Sequence, residues 1–256
     1  DFSLCSFVDH TVMEGLNEYR RGFARKGGAF EIIGLDAHTA DTQHPFAIRK
    51  SLPTNDFFRI NDNLTKRQLS LKKLSTVLGW GYRAEPSSDT KELERFDLFK
   101  AKIINYQFNE IVNESGDFHL FDLSYSEGAF ISKDDIISSF LLINLKFDIP
   151  IFILDRENLL GGINENTIYK DLDFPKYPDF SKRFFLGGRR ASEIRKLFDS
   201  KLIFFFESHA YFRVESIGRS ILIKGKSRLS SIQEIKQLLA FSTELMSIIN
   251  NKYLDK

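Results

Sequence analysis

The apolar residues of this chain come in short bursts, and that limits what it can build. The longest, such as Phe140 to Ile143 and Leu202 to Phe206, fall far short of a bilayer span, so they are expected to fill a globular core. A chain of 256 residues suffices for one large domain or two modest ones. With 26 phenylalanines, that core is expected to be aromatic-rich. Hydrophobic residues at 42% and charged residues at 28% give a globular balance, which argues against a disordered chain. Lys and Arg number 36 against 35 Asp and Glu, so the electrostatic ground for non-specific nucleic-acid binding is missing, and no nucleic-acid partner is expected. Cys5 is the sole cysteine, which excludes an intramolecular disulfide and a Cys-based zinc site and suits a reducing cytosol. Asp1 opens into DFSLCSF without the basic n-region of a signal peptide. A soluble, cytoplasmic polypeptide is expected.

The first residues read as the end of a strand, followed by a helix. Thr11-Val12-Met13-Glu14 fits a capping box, with a hydroxyl on the N3 amide and a glutamate reaching back. Val12, Leu16, Tyr19 and Phe23 then follow an amphipathic stripe, which predicts that they face inward. Gly27-Gly28 stops the helix. Ala29 to Leu35 is a short apolar run of the kind found in buried parallel strands. Strand, helix and strand make a β-α-β unit whose first strand is too short to stand alone, and an upstream part is expected.

These residues carry a resemblance. DFSLCSFVDHTVMEGLNEYRRGFARKGGAFEIIGLD resembles the second half of a STAS domain, and more narrowly the STAS domain at the cytosolic C-terminus of SulP-type anion permeases. VDHT, EIIGLD with His38, and HPFAIRK are similar to what bacterial SulP proteins carry there. The resemblance covers about the first fifth of the chain. It implies further strands and a helix upstream, following a multi-span membrane transporter, and a place at the cytosolic face of the inner membrane. In anti-sigma-factor antagonists of the superfamily the turn reads Asp-Ser-Ser, and its first serine is phosphorylated. After Asp9 this chain has His10 at that position and Thr11 beside it. Two readings stay open at Thr11: an N-cap, or a phosphate acceptor at a helix N-terminus. His10 has the side chain that titrates near neutral pH, and an exposed place on the first helical turn is the plainer expectation.

His38 and His44 flank Asp36 and Asp41, but the spacing fits no common ligand pattern and no metal is expected. His44-Pro45 reads as a helix start through Ile48. Residues 51–90 are expected to form a linker and a basic helix, separating a truncated STAS-like domain at 1–50 from an α+β module at 91–256. Leu71, Leu74 and Leu78 mark the helix, and Lys66, Arg67, Lys72 and Lys73 crowd its first turns, either as a solvated face or against anionic headgroups.

In the last region Phe118 to Tyr125 and Ile149 to Leu154 read as strands. Residues 132–147 fit either a helix capped by Ser132, which would repeat the opening plan, or a strand of period two; a hairpin is the simpler reading. Phe184 to Leu186 predicts a short buried strand, Arg189 to Phe198 a helix, Tyr211 to Lys224 a hairpin about Gly218, and Ser230-Ser231 the cap of a last helix. DLSYSEG, IPIFILDRE, FSKRFFLGG and FFESHAYFRVES resemble an extension that follows STAS in some SulP-like permeases. The expected class is mixed α+β and α/β, with a mainly antiparallel sheet in the second module.

Catalytic chemistry is thin. Ser208 and His209 are neighbours on one backbone, and no oxyanion motif such as G-x-S-x-G accompanies them. Asp155 with Glu157, and Asp171 with Asp173, are carboxylate pairs near strand ends, which suit loop capping more than hydrolysis. No Walker A or G-x-G-x-x-G motif is present. Gly187-Gly188-Arg189-Arg190 is the best anion-binding candidate, alongside Asp9, His10 and Thr11 as a regulatory turn. The expectation is a non-enzymatic regulatory region of a sulfate or anion transporter without a cofactor, whose partners are the upstream membrane domain and, in some readings, a second copy. The alternative is a sensor of a nucleotide or small anion, and a hydrolase on the acidic strand ends comes last.

Overall fold

A computed structural model describes residues 1–2, 5–28, 30–35, 38–51, 64–128, 134–157 and 169–253. The opening holds a two-residue strand β1 (Phe7–Val8), helix α1 (His10–Arg25), and strands β2 (His38–Ala40) and β3 (Arg49–Ser51). The helix is where the sequence places it, but the β-α-β unit is not. β3 lies between β1 and β2, and both pairings are antiparallel, with Phe7 opposite Lys50 and His38 opposite Ser51. Residues 30–33 form no strand, and Ile33 meets the N-terminus through one bond from the Phe2 amide at 2.8 Å. A two-residue β1 offers little ladder to a parallel neighbour, whereas the turn through residues 41–48 folds β3 back antiparallel on β2, and β1 pairs with the other edge of β3. That turn displaces the helix expected at His44-Pro45: the Phe46 amide donates to His44 Nδ1 at 3.1 Å and the chain runs on into β3.

The rest of the described chain builds one eight-stranded sheet. Helix α2 (Lys66–Leu78) leads into β4 (Gly81–Arg83), and then β5 (Ile103–Val112), β6 (Phe118–Glu127), β7 (Asp134–Asn144) and β8 (Phe152–Arg156) follow. After these come α3 (Pro178–Arg183), β9 (Phe184–Gly188), α4 (Ala191–Leu197), α5 (Ser200–Ser208), β10 (Arg213–Ser216), β11 (Ser220–Lys224) and α6 (Ile232–Tyr253). The order is β4-β5-β6-β7-β11-β10-β8-β9, antiparallel throughout. The class is α+β. Residues 134–144 are strand, so the helical repeat gives way to the hairpin, although Ser132 and Lys133 lie outside the described residues. The stretch expected as a joining segment supplies α2 and β4, which pack into this module. α2 opens with a capping box, Thr65 with Gln68, and ends at Gly79 in the left-handed conformation. The α6 cap also forms, with the Glu234 amide donating to Ser231 Oγ and Glu234 accepting from the Ser231 amide.

Alternation along β6 divides the two faces. Leu120 meets α2, α6 and the α3–α5 group, while Phe121, Leu123 and Tyr125 meet Leu93, Phe96, Leu98 and Phe99, residues within or beside two short 3-10 turns. β5 breaks register between Ile104 and Tyr106, and again between Phe108 and Ile111, where Asn109 takes φ 54°. The breaks keep Ile104 on the 3-10 side and turn Tyr106, Phe108 and Ile111 to the helical side. Tyr106 and Phe108 there receive the opening unit, through Phe46, Val8 and Met13. Among the described residues no helix is long and apolar enough to cross a membrane.

Candidate functional site

Asp9, not Thr11, caps α1. Its backbone is extended and its Oδ1 accepts from the Val12 amide at 2.7 Å, so the helix begins at His10 and the expected Thr11–Glu14 box is superseded. A carboxylate at the dipole's positive end is a stronger cap partner than a hydroxyl two residues later. His10 Nδ1 lies 2.8 Å from the Phe46 carbonyl and Nε2 3.1 Å from Glu14. The His44 ring stands edge-on to that of His10 at 4.8 Å. Burial, and then the neighbouring His10, lower the His44 pKa from its ordinary 6.5. His38 is fully enclosed, with its two nitrogens facing the carbonyls of Gly34 and Cys5. The histidines are thus occupied in holding the opening unit together, and no group of three metal-ligating side chains occurs among the described residues.

The glycines at 187 and 188 serve packing. Both lie in β9, paired with Ile153 and Phe152 of β8. A Cβ on Gly188 would stand 2.3 Å from the Ile151 carbonyl oxygen, and one on Gly187 would stand 2.8 Å from Tyr169. Arg189 points outward to Tyr169, and Arg190 pairs with Glu193 at 3.1 Å. The expected anion cradle is therefore not assembled: its glycines are in a ladder and its arginines are separately engaged.

One member of each carboxylate pair, Asp155 and Asp171, is also engaged. Asp155 accepts from the Tyr211 hydroxyl and from Arg213, which bridges it to the deeply buried Glu215. Asp171 accepts from the Leu172 and Leu186 amides at 2.8 and 2.9 Å. Burial, joined by Asp171 and Asp173, raises the Glu157 pKa, yet none of these groups lines either described cavity. Ser208 Oγ does lie 3.2 Å from His209 Nδ1, with Glu244 at Nε2. That same Nδ1 is 2.8 Å from the Phe205 carbonyl, so it carries the proton and is no base for the serine.

Two features of the opening unit lie outside these expectations. First, Val12, Tyr19 and Phe23 project to solvent, Tyr19 being 67% exposed, while Met13 and Asn17 turn inward. Three of the four stripe residues therefore face out, while Leu16 packs inward beside Val8, Met13 and Phe46. Second, a cavity of about 580 Å³ separates α1 and β3 from α2 and residues 84–86. A smaller cavity of about 340 Å³ on the opposite face gathers Arg83, Glu110 and His119. There burial would raise the Glu110 pKa, but hydrogen bonds from His119 and Arg83 outweigh it and hold the carboxyl below its ordinary 4.5.

The basic helix holds another departure. Arg67 is drawn from the surface into a bidentate pair with Asp122 at 2.7 and 2.8 Å, and it also donates to Ser139 and to the Ser230 carbonyl. Asn109 donates to the same carboxylate at 2.8 Å. Asp122, set among Leu120, Phe121 and Leu123 of β6, was the available signal.

No protein-family model and no curated protein matches the chain. A solved structure, that of the mycobacterial trehalose monomycolate transport factor A, TtfA, is similar at a TM-score of 0.52 and 11% identity, covering 71% of this chain and 93% of that one. At that identity the likeness speaks to the fold alone.

Proposed function

We propose that this chain is the cytosolic regulatory and interaction region of a SulP-like sulfate or anion transporter, acting through protein contacts and without catalysis. The observation that carries the reading is the outward apolar stripe of α1, Val12, Tyr19 and Phe23, in the segment that resembles STAS. Large side chains aligned on one exposed helix face fit a docking surface better than they fit solvent. The partner is the membrane part of the carrier, and docking shifts the carrier between conformations by binding one of them more tightly. The antiparallel order of β1, β3 and β2 departs from a STAS half-domain, so the STAS reading rests on the sequence resemblance. Ligand sensing at Asp9–Thr11 or Gly187–Arg190 has less support, because the groups it needs are already paired.

The test is sulfate uptake into vesicles bearing the carrier with this region, native or with Val12, Tyr19 and Phe23 all changed to Glu. Uptake is expected to change while the isolated region keeps its helical circular dichroism, since Val12, Tyr19 and Phe23 are 41%, 67% and 48% exposed and lie outside the buried core. Equal uptake, together with undiminished co-purification of region and carrier, would refute the proposal.

A further inference from the structure

Met13, Asn17 and Arg20 share the inner face of α1 and form one wall of the 580 Å³ cavity. Arg49 of β3 adds a second guanidinium, while Leu35 and Phe46 make the lining apolar. Arg20 Nε is buried there without a hydrogen-bond partner among the described residues. A buried guanidinium N–H without an acceptor is costly, and an incoming carboxylate or sulfonate removes that cost. Burial depresses the Arg49 pKa and Glu85 opposes the shift. The two carboxylates of the lining, Glu31 and Glu85, are exposed at the mouth, whereas both arginines are partly covered, so among the described residues the lining cations sit deeper than the lining anions. The volume lies within the range of small-molecule sites.

We propose that this cleft binds a small organic monoanion with an apolar body, its charged end on Arg20 and Arg49 and its body against Met13, Leu35 and Phe46. The mouth carboxylates disfavour polyanions such as nucleoside triphosphates, and the apolar lining disfavours bare inorganic anions. This site is separate from the outward stripe of α1, and the proposal does not depend on the transporter reading.

Calorimetric titration with phenylacetate tests it, alongside phenethylamine, which has a similar body and the opposite charge, and acetate, which has the charge without the body. Phenylacetate is expected to saturate one site. Phenethylamine should give no saturable heat, and acetate should bind at least about tenfold more weakly. Arg20→Gln should weaken phenylacetate by about tenfold or more, while Arg219→Gln, the same charge loss on an exposed turn, leaves it unchanged. Ile32→Trp fills the space without removing a charge and should also abolish binding, which keeps the test decisive if Arg20→Gln fails to fold. Absence of saturable heat with phenylacetate, or native affinity in both cavity variants, overturns the proposal.

Discussion

In α6, Ile235, Leu238, Leu245 and Ile249 are buried against the sheet, whereas in α1 Val12, Tyr19 and Phe23 of an equally regular stripe stand in solvent. The contrast extends to the strands. The opening unit has strands of two or three residues, while β5, β6 and β7 run to ten or eleven and are enclosed on both faces. The second module owns its core, and the first borrows one, since Val8, Met13 and Phe46 rest on Tyr106 and Phe108 of β5. A helix stripe therefore guarantees only that a partner face is useful, and the rest of the chain decides whether one is supplied.

The sharpest way to break this contrast is at the buried ion pair of the second module, whose side chains are 9% and 3% exposed. Asp122→Ala leaves the Arg67 guanidinium enclosed and unpaired, and should cost about 3–5 kcal/mol in denaturant unfolding. A loss below about 1 kcal/mol would mean that the network is hydrated and the module less self-contained than described. Next in size is Phe46→Ala at the seam between the regions, expected to cost about 3 kcal/mol. Its signature is regional: amide exchange should quicken across residues 5–51 while β6 and β7 stay protected. Uniform acceleration would show the two regions to be one cooperative unit.

Acid should separate the regions by a smaller effect. His44 has a lowered pKa in the folded chain, so as pH falls through 6.5 the unfolded state takes up the proton first and the opening unit loses stability. Glu110 is also held low, so the module loses its contribution only as pH falls below 4.5 and on through the folded value. Exchange measured against pH should show the opening unit loosening first, with His44→Gln flattening the first step and Glu110→Gln the second. Coincident steps that ignore both substitutions would remove the distinction.

These differences also mark what the sequence made legible. β6 and the hairpin at Gly218 were readable because period two and a glycine at φ 101° act locally. α2 was readable from its leucine spacing and α6 from its cap. Arg67 was not, because its partner lies 55 positions away, and beside Lys66, Lys72 and Lys73 it looked like one more solvated cation. Of the α1 stripe only Leu16 packs inward and Val12, Tyr19 and Phe23 do not, since periodicity states which residues align and is silent about what they meet. The run 30–35 read as a strand because it is apolar; Ile32, Ile33 and Leu35 instead line a cavity, which requires the same composition without a ladder. Gly187 and Gly188 looked like a phosphate turn for a similar reason: glycine permits close approach, whether of a ligand or of a neighbouring strand.

The pairing of β7 with β11 joins residues 140–144 to residues 220–224. While the chain is being synthesised, the meander from β4 to β7 emerges first, and it must wait with one rim of β7 open until the final hairpin leaves the ribosome. Nascent chains in that interval present a ready template to one another, so the order of translation sets when this protein is most vulnerable to sticking to its own copies.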